Sequence, residues 1–208
     1  MKKIAFLCIL ISLIRLDTNA QNMINGHEYV DLGLPSGVKW ATCNLGANSP
    51  SQNGNYYGWG ELICRRSKNY CSEENSQTYD RTLSDISGNS TYDVARRTWG
   101  ATWRIPTEAE VKELKEKCMW FIYTQNGVNG IKIIGPNKNF IFLPFSRNFC
   151  TGPLYENLGD YGLYWTSSPI NCGFNASALQ IGIFASRPYK SLIPVYRYFC
   201  LSIRAVSN

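Results

Sequence analysis

Five of the six tryptophans sit in short segments that also carry glycine, proline or a charged residue. The segments are Val30–Ala41, Tyr57–Glu61, Ala95–Gly100, Trp103–Thr107 and Gly162–Ser168, and Ser202–Val206 closes the series without a tryptophan. An indole carries more apolar surface than any other side chain, and a neighbouring glycine lets a second backbone approach it closely. Trp40, Trp59, Trp99, Trp103 and Trp165 are therefore expected to build the core rather than a site. The chain is 13% aromatic and only 17% charged, which suits a fold held by aromatic packing beneath long loops.

In this order the six segments resemble the Fibrobacter succinogenes major paralogous domain, over Tyr29 to Val206. The resemblance implies an α+β fold of C-type lectin-like architecture, with short antiparallel strands, one or two helices and long loops. It implies no established activity. It does imply a place for a ligand, because loops of lectin-like folds cluster on one side and form the binding surface.

The first twenty residues read as an export signal. Lys2 and Lys3 precede an apolar run from Ile4 to Ile14, and Ala20 supplies a small residue for cleavage. That run is too short to cross a hydrocarbon core, which takes about 20 residues. Cys8 lies inside it behind the bulky Phe6 and Leu7, which argues against a lipid anchor. No later apolar run approaches membrane length. Residues 21–208 are expected to form one soluble domain, exported to the periplasm, the cell surface or beyond.

Loss of Lys2, Lys3, Arg15 and Asp17 lowers the formal charge from +6 to about +4. The basic residues are dispersed, so nucleic acid is not an expected partner.

Seven cysteines remain after Cys8: Cys43, Cys64, Cys71, Cys118, Cys150, Cys172 and Cys200. In an exported chain these are disulfide candidates, and an odd number leaves at least one over. Cys64 and Cys71 flank a polar, loop-like stretch and form the best local pair. Cys150 and Cys172 are the second. Cys118 could reach Cys200, since the resemblance implies helix-to-strand bridges. Cys43, Cys118 and Cys200 serve equally well as small buried apolar residues.

Thr107 and Glu110 form a Ser/Thr-x-x-Glu capping box, with Val111, Leu114 and Cys118 on one helical face. Asp93 to Trp99 predicts a shorter helix capped by Asp93. Strands are expected over Tyr29 to Leu34, Val38 to Cys43, Met119 to Tyr123, Gly130 to Ile134, Phe140 to Leu143, Leu163 to Ser167, Ala178 to Phe184 and Leu201 to Val206. Gly135-Pro136-Asn137 predicts a hairpin turn. Gly46 to Thr91 reads as one long irregular stretch. Ser146 to Tyr161, Pro169 to Asn175 and Ala185 to Phe199 read as loops.

His27 is the only histidine, which removes multi-histidine zinc centres and most Ser-His-Asp systems. A cysteine nucleophile paired with His27 is formally available, but no cysteine lies in a recognisable nucleophile motif. No Cys-x-x-Cys pair, phosphate loop or lectin calcium signature is present, so neither a metal nor a cofactor is expected. Glu61 is expected to hold a loop through backbone N–H groups.

What the late loops do offer is Tyr155, Tyr161, Arg187, Tyr189, Tyr196 and Arg197, joined by Phe174, Lys190 and Tyr198. Tyrosine and arginine supply contact area and hydrogen bonds at modest entropic cost, and aromatic faces stack on sugar rings. The expected function is a non-catalytic binding or surface-interaction module with an extracellular glycan or protein as ligand. Two alternatives are a cysteine-dependent enzyme akin to the formylglycine-generating enzymes and a structural or adhesin subunit assembled through a cysteine or an exposed apolar edge.

Overall fold

The computed structural model describes residues 22–64, 71–146, 160–170 and 173–208. The expected export signal lies outside them. Strands dominate, all paired antiparallel, and two short helices accompany them, so the fold is a mixed α+β one with little helix.

Three small sheets carry the strands. The first has the order β1-β2-β3-β10, built from β1 (Met23–Ile24), β2 (His27–Asp31), β3 (Lys39–Ala41) and β10 (Val206–Ser207). The second is a meander of β4 (Met119–Gln125), β5 (Val128–Ile134) and β6 (Phe140–Pro144). A third meander contains β7 (Tyr161–Pro169), β8 (Asn175–Phe184) and β9 (Arg187–Tyr196). The turn at Gly135-Pro136-Asn137 joins β5 to β6 as expected, with Ile134 opposite Phe140. Between Gly46 and Thr91 the described chain forms only a 3-10 turn at Glu73–Asn75.

Strand β9 corrects the reading of Ala185 to Phe199 as a loop. Pro188 and Pro194 argue against a strand because each lacks a ladder donor. Strand β9 is an edge strand, where prolines are tolerated. Pro188 faces Ile183 and Pro194 faces Ser177.

The helices follow their local signals. Helix α1 (Val94–Trp99) is capped by Asp93, whose carboxylate accepts from Arg96 N. In α2 (Glu108–Lys117) both halves of the capping box are made: Glu110 N donates to Thr107 Oγ1 at 3.3 Å, and Thr107 N to Glu110 Oε2 at 2.8 Å. Glu110 also receives both guanidinium branches of Arg104, at 2.8 and 2.6 Å.

Burial alone would raise the Glu110 carboxyl, but the Arg104 and Thr107 hydrogen bonds outweigh it and hold it below its ordinary 4.5. A folded value below the unfolded one means stabilisation that is present above pH 4.5 and lost as pH falls through the folded value. Glu110→Gln should cost about 2 kcal/mol at pH 7, and the gap to wild type should close on acidification. Urea unfolding across pH 3 to 7 checks this; a gap independent of pH would refute it.

Two core clusters fill the molecule. Trp59, Trp99, Trp103 and Trp165 belong to one, packed with Leu163, Ala176, Ala178 and Ile203. Trp40 and Trp120 belong to the other, with Val111, Leu114, Ile131, Ile133 and Leu179. All five framework tryptophans are thus buried.

The last segment joins everything. Leu201 exchanges hydrogen bonds with Tyr57, Ser202 O accepts from Trp165 N, and Ile203 O from Leu45 N. Ala205 O accepts from Ala41 N, and Val206 pairs with Arg104. Residues 201 to 207 are buried on every side, not on one face as the alternation of Leu201, Ile203 and Ala205 suggests.

Candidate functional site: an aromatic cleft beside the third sheet

Side chains alternate across a strand, and the register of β7-β8-β9 shows what each face carries. Tyr161 stands opposite Gly182, Leu163 opposite Gln180, and Gly182 opposite Tyr189. On the same face Trp165, Ala176, Ala178 and Val195 enter the first core cluster. The opposite face, with Tyr164, Leu179 and Ile181, enters the second. Tyr161 and Leu163 belong to the first cluster too, so the first face is core, and a cavity borders it.

A cavity of about 230 Å³ lies between Tyr161, Leu163, Asn175, Gln180, the stretch from Ile193 to Tyr196, and Phe199. A second cleft of about 200 Å³ shares Tyr161 and Gln180 and continues past Gly182 to Tyr189 and Phe184. Gly182 keeps this passage open: a Cβ there would lie 3.1 Å from the Asp160 carbonyl.

One rim is a bank of aromatic rings. Tyr196 and Tyr198 stack at 5.3 Å and 11°. Phe199 meets Tyr198 edge-on at 5.2 Å, and Tyr79 joins Tyr198 at 5.4 Å and Phe174 at 5.1 Å. Tyr196 remains 46% exposed, so its outer edge is open to a ligand. Asn175 and Gln180 bring polarity to the wall, and neither side-chain amide has a hydrogen-bond partner among the described residues. A carboxamide presents one acceptor and two donors. Apolar walls, a stacking ring and two amides make a site for one ring-sized group carrying hydroxyls or an amide.

Of the residues expected at a binding face, Tyr161 and Tyr196 line one cavity, and Tyr189 lines its neighbour. Arg187 is exposed at the β8–β9 turn and lines neither cleft. Lys190 turns away, its ammonium 4.7 Å from the Trp120 ring centre. Tyr155 lies outside the described residues.

Arg197 requires a correction: it is 1% exposed and belongs to the framework. Its guanidinium lies 4.3 Å from the Trp59 ring centre and donates to the carbonyls of Thr78, Arg81 and Asn175, at 3.0, 2.7 and 3.2 Å. Continuing the alternation of β9 explains this, because Tyr196 and Tyr198 point outward and the residue between them points in. The sequence reading missed Leu163, Asn175, Gln180 and Phe199. Leu163 and Gln180 carry a signal, since both fall on the face of Tyr161 once the strands are paired.

Glu61 behaves as expected. It is buried, accepts from Gln77 N at 3.3 Å, and fills the space a side chain at Gly58 would need, a Cβ there lying 2.7 Å from its carboxyl carbon.

Two expected cysteine pairs are not formed. Cys71 is disulfide-bonded but not to Cys64. The Cys200 Sγ lies 2.8 Å from the Cys71 Sγ, in contact with it but not bonded to it. Cys118 keeps a buried thiol, pushed up to about 11 by burial, and is not joined to Cys200. Cys150 and Cys172 lie outside the described residues. No helix among the described residues is long and apolar enough to cross a membrane.

Comparison with protein-family models, with curated proteins and with solved structures finds no match.

Proposed function

We propose that this chain is an exported, non-catalytic binding module whose aromatic cleft takes one residue of a glycan. The carrying observation is the cleft itself: the Tyr196 ring at its rim, the Tyr161 ring in its wall, and the Asn175 and Gln180 amides without partners among the described residues. Sugar rings present an apolar C–H face to an aromatic ring and hydroxyls to amides, and both kinds of group are here. An N-acetyl group would match the carboxamides best, since it offers a donor and an acceptor together.

The leader at residues 1–20 supports export. The order of the six Trp/Gly segments supports membership of the Fibrobacter succinogenes major paralogous domain family, with C-type lectin-like architecture. In that reading the cleft is where the late part of the chain meets its ligand.

Glycan-array screening followed by calorimetry tests the proposal. Tyr196→Ala should weaken binding about tenfold to thirtyfold, the effect of removing one exposed aromatic anchor, with the unfolding midpoint unchanged. Gln180→Ala should weaken it less. Absence of glycan binding, or binding indifferent to both changes, would refute it and turn the search to protein ligands.

A specific observation favours a second reading. Met119, Phe121, Tyr123 and Phe140 are each more than 40% exposed on the β4-β5-β6 sheet. Such a run of apolar side chains suits assembly with other copies. A mass that rises with concentration, and falls on Phe121→Glu, would favour the subunit reading.

A further inference from the structure

We propose that Cys43 and His27 form a thiol-modification site, in which Cys43 is thiolated by small uncharged or cationic disulfides. The site is remote in sequence from the aromatic cleft and shares no residue with it.

The hairpin of β2 and β3 brings the two residues to the wall of one opening. Tyr29 pairs with Ala41, and one step beyond, Thr42 N donates to the Glu28 carbonyl at 3.1 Å. Cys43 follows Thr42 just past the end of β3, and His27 opens β2 one residue before Glu28. Both residues line one opening of about 460 Å³, which also reaches Glu28, Thr42, Asn48 and Trp99. The cavity is large enough for a small disulfide to lie along it.

Three features suit the pair to proton transfer and attack. The imidazole lies flat on Trp99, with ring centres 4.0 Å apart and planes 13° apart, and stands nearly perpendicular to the Trp103 ring at 6.4 Å, which fixes its plane. Cys43 is half-buried and carries a thiol. Its sulfur accepts from Thr42 Oγ1 at 3.7 Å, and Arg204 donates to the carbonyl of that same Thr42 at 2.7 Å. Burial holds His27 below its ordinary 6.5, so at pH 7 it is neutral and can accept a proton. Glu28 on the wall disfavours an anionic partner.

The step balances without further reagents. His27 takes the Cys43 proton, and the thiolate attacks one sulfur of R–S–S–R. A protein–S–S–R bond forms as the old disulfide breaks, and the leaving thiolate recovers the proton as R–SH. Cys43 is oxidised and the departing half of the disulfide is reduced.

The test exposes the mature protein at pH 7 to 2-hydroxyethyl disulfide, following intact mass and mapping the adduct by peptide analysis without reductant. The first adduct should fall on Cys43, forming at least about tenfold faster than any on the buried Cys118. Dithiodiglycolate, which is anionic, should react more slowly. His27→Phe keeps a ring on Trp99 while removing the base, and should slow Cys43 thiolation roughly tenfold. A first adduct elsewhere, labelling of Cys43 no faster than of Cys118, or an unchanged rate in a folded His27→Phe protein would overturn the proposal. If that variant does not fold, the wild-type adduct map and the comparison of the two disulfides decide alone.

Discussion

Replacing Arg204 by methionine is expected to cost about 4 kcal/mol, a large share of the stability of a domain this size. The guanidinium is 2% exposed and has four acceptors in the interior. Its Nε donates to Asn44 Oδ1 at 2.8 Å, one Nη to the carbonyls of Ala41 and Thr42 at 3.1 and 2.7 Å, and the other Nη to Phe142 O at 3.0 Å. It therefore ties the end of β3 and the following turn to β6, which belong to different sheets. Burial lowers its pKa, with Tyr164 and Cys43 opposing, but a guanidinium remains charged at neutral pH. Methionine fills much of the volume and leaves all four acceptors without this donor in a dry interior. Arg204→Lys should recover only a minor part, because one ammonium cannot reach all four acceptors on the 41–44 stretch and β6. Urea unfolding measures both variants, and a loss below about 1 kcal/mol for Arg204→Met would show that these carbonyls find other donors.

Trp165→Ala should cost about 4 to 5 kcal/mol by a different route. The indole is 1% exposed in the first core cluster, and its N–H donates to Tyr57 O at 2.8 Å. The neighbouring Trp59 N–H donates to Thr166 O at 3.0 Å, so β7 is held on both sides of one residue position by indole donors. Truncation opens a cavity that this aromatic framework can collapse into only partly. Trp165→Phe separates the two contributions: it keeps most of the packing, loses the hydrogen bond, and should cost about 1 to 2 kcal/mol. Because β7 carries Tyr161 and Leu163 into the cleft, Trp165→Ala should also weaken ligand binding. A full loss of stability with unchanged affinity in the surviving folded fraction would separate the cleft from this core.

Both variants test residues whose partners lie far away in the chain, and that is where the sequence reading thins out. The Thr107–Glu110 capping box and the Asp93 cap were legible because each joins groups three residues apart. The hairpins of β2–β3 and β5–β6 were legible for the same reason, their alternation being interrupted by a recognisable turn. Strand β9 was not, because Pro188 and Pro194 disqualify a central strand and only the sheet order reveals that this one lies at an edge. That single misreading hid the burial of Arg197, which follows from alternation once Tyr196 is in a strand. It also hid the cleft wall from Ile193 to Tyr196, which β9 supplies.

By itself the sequence determined what depends on neighbours along the chain: the helix caps, the turn residues, the buried character of the framework tryptophans, and the aromatic supply of the late segments. Tertiary structure alone decided which surfaces meet. It set Cys71 beside Cys200, wrapped Leu201 to Ser207 on every side, and gathered Tyr161, Asn175, Gln180 and Tyr196 around one cavity. The reason is physical. A cap or a turn is satisfied by groups a few bonds away, whereas a cysteine sulfur, a buried guanidinium or a cleft wall finds its partners only after the sheets have packed.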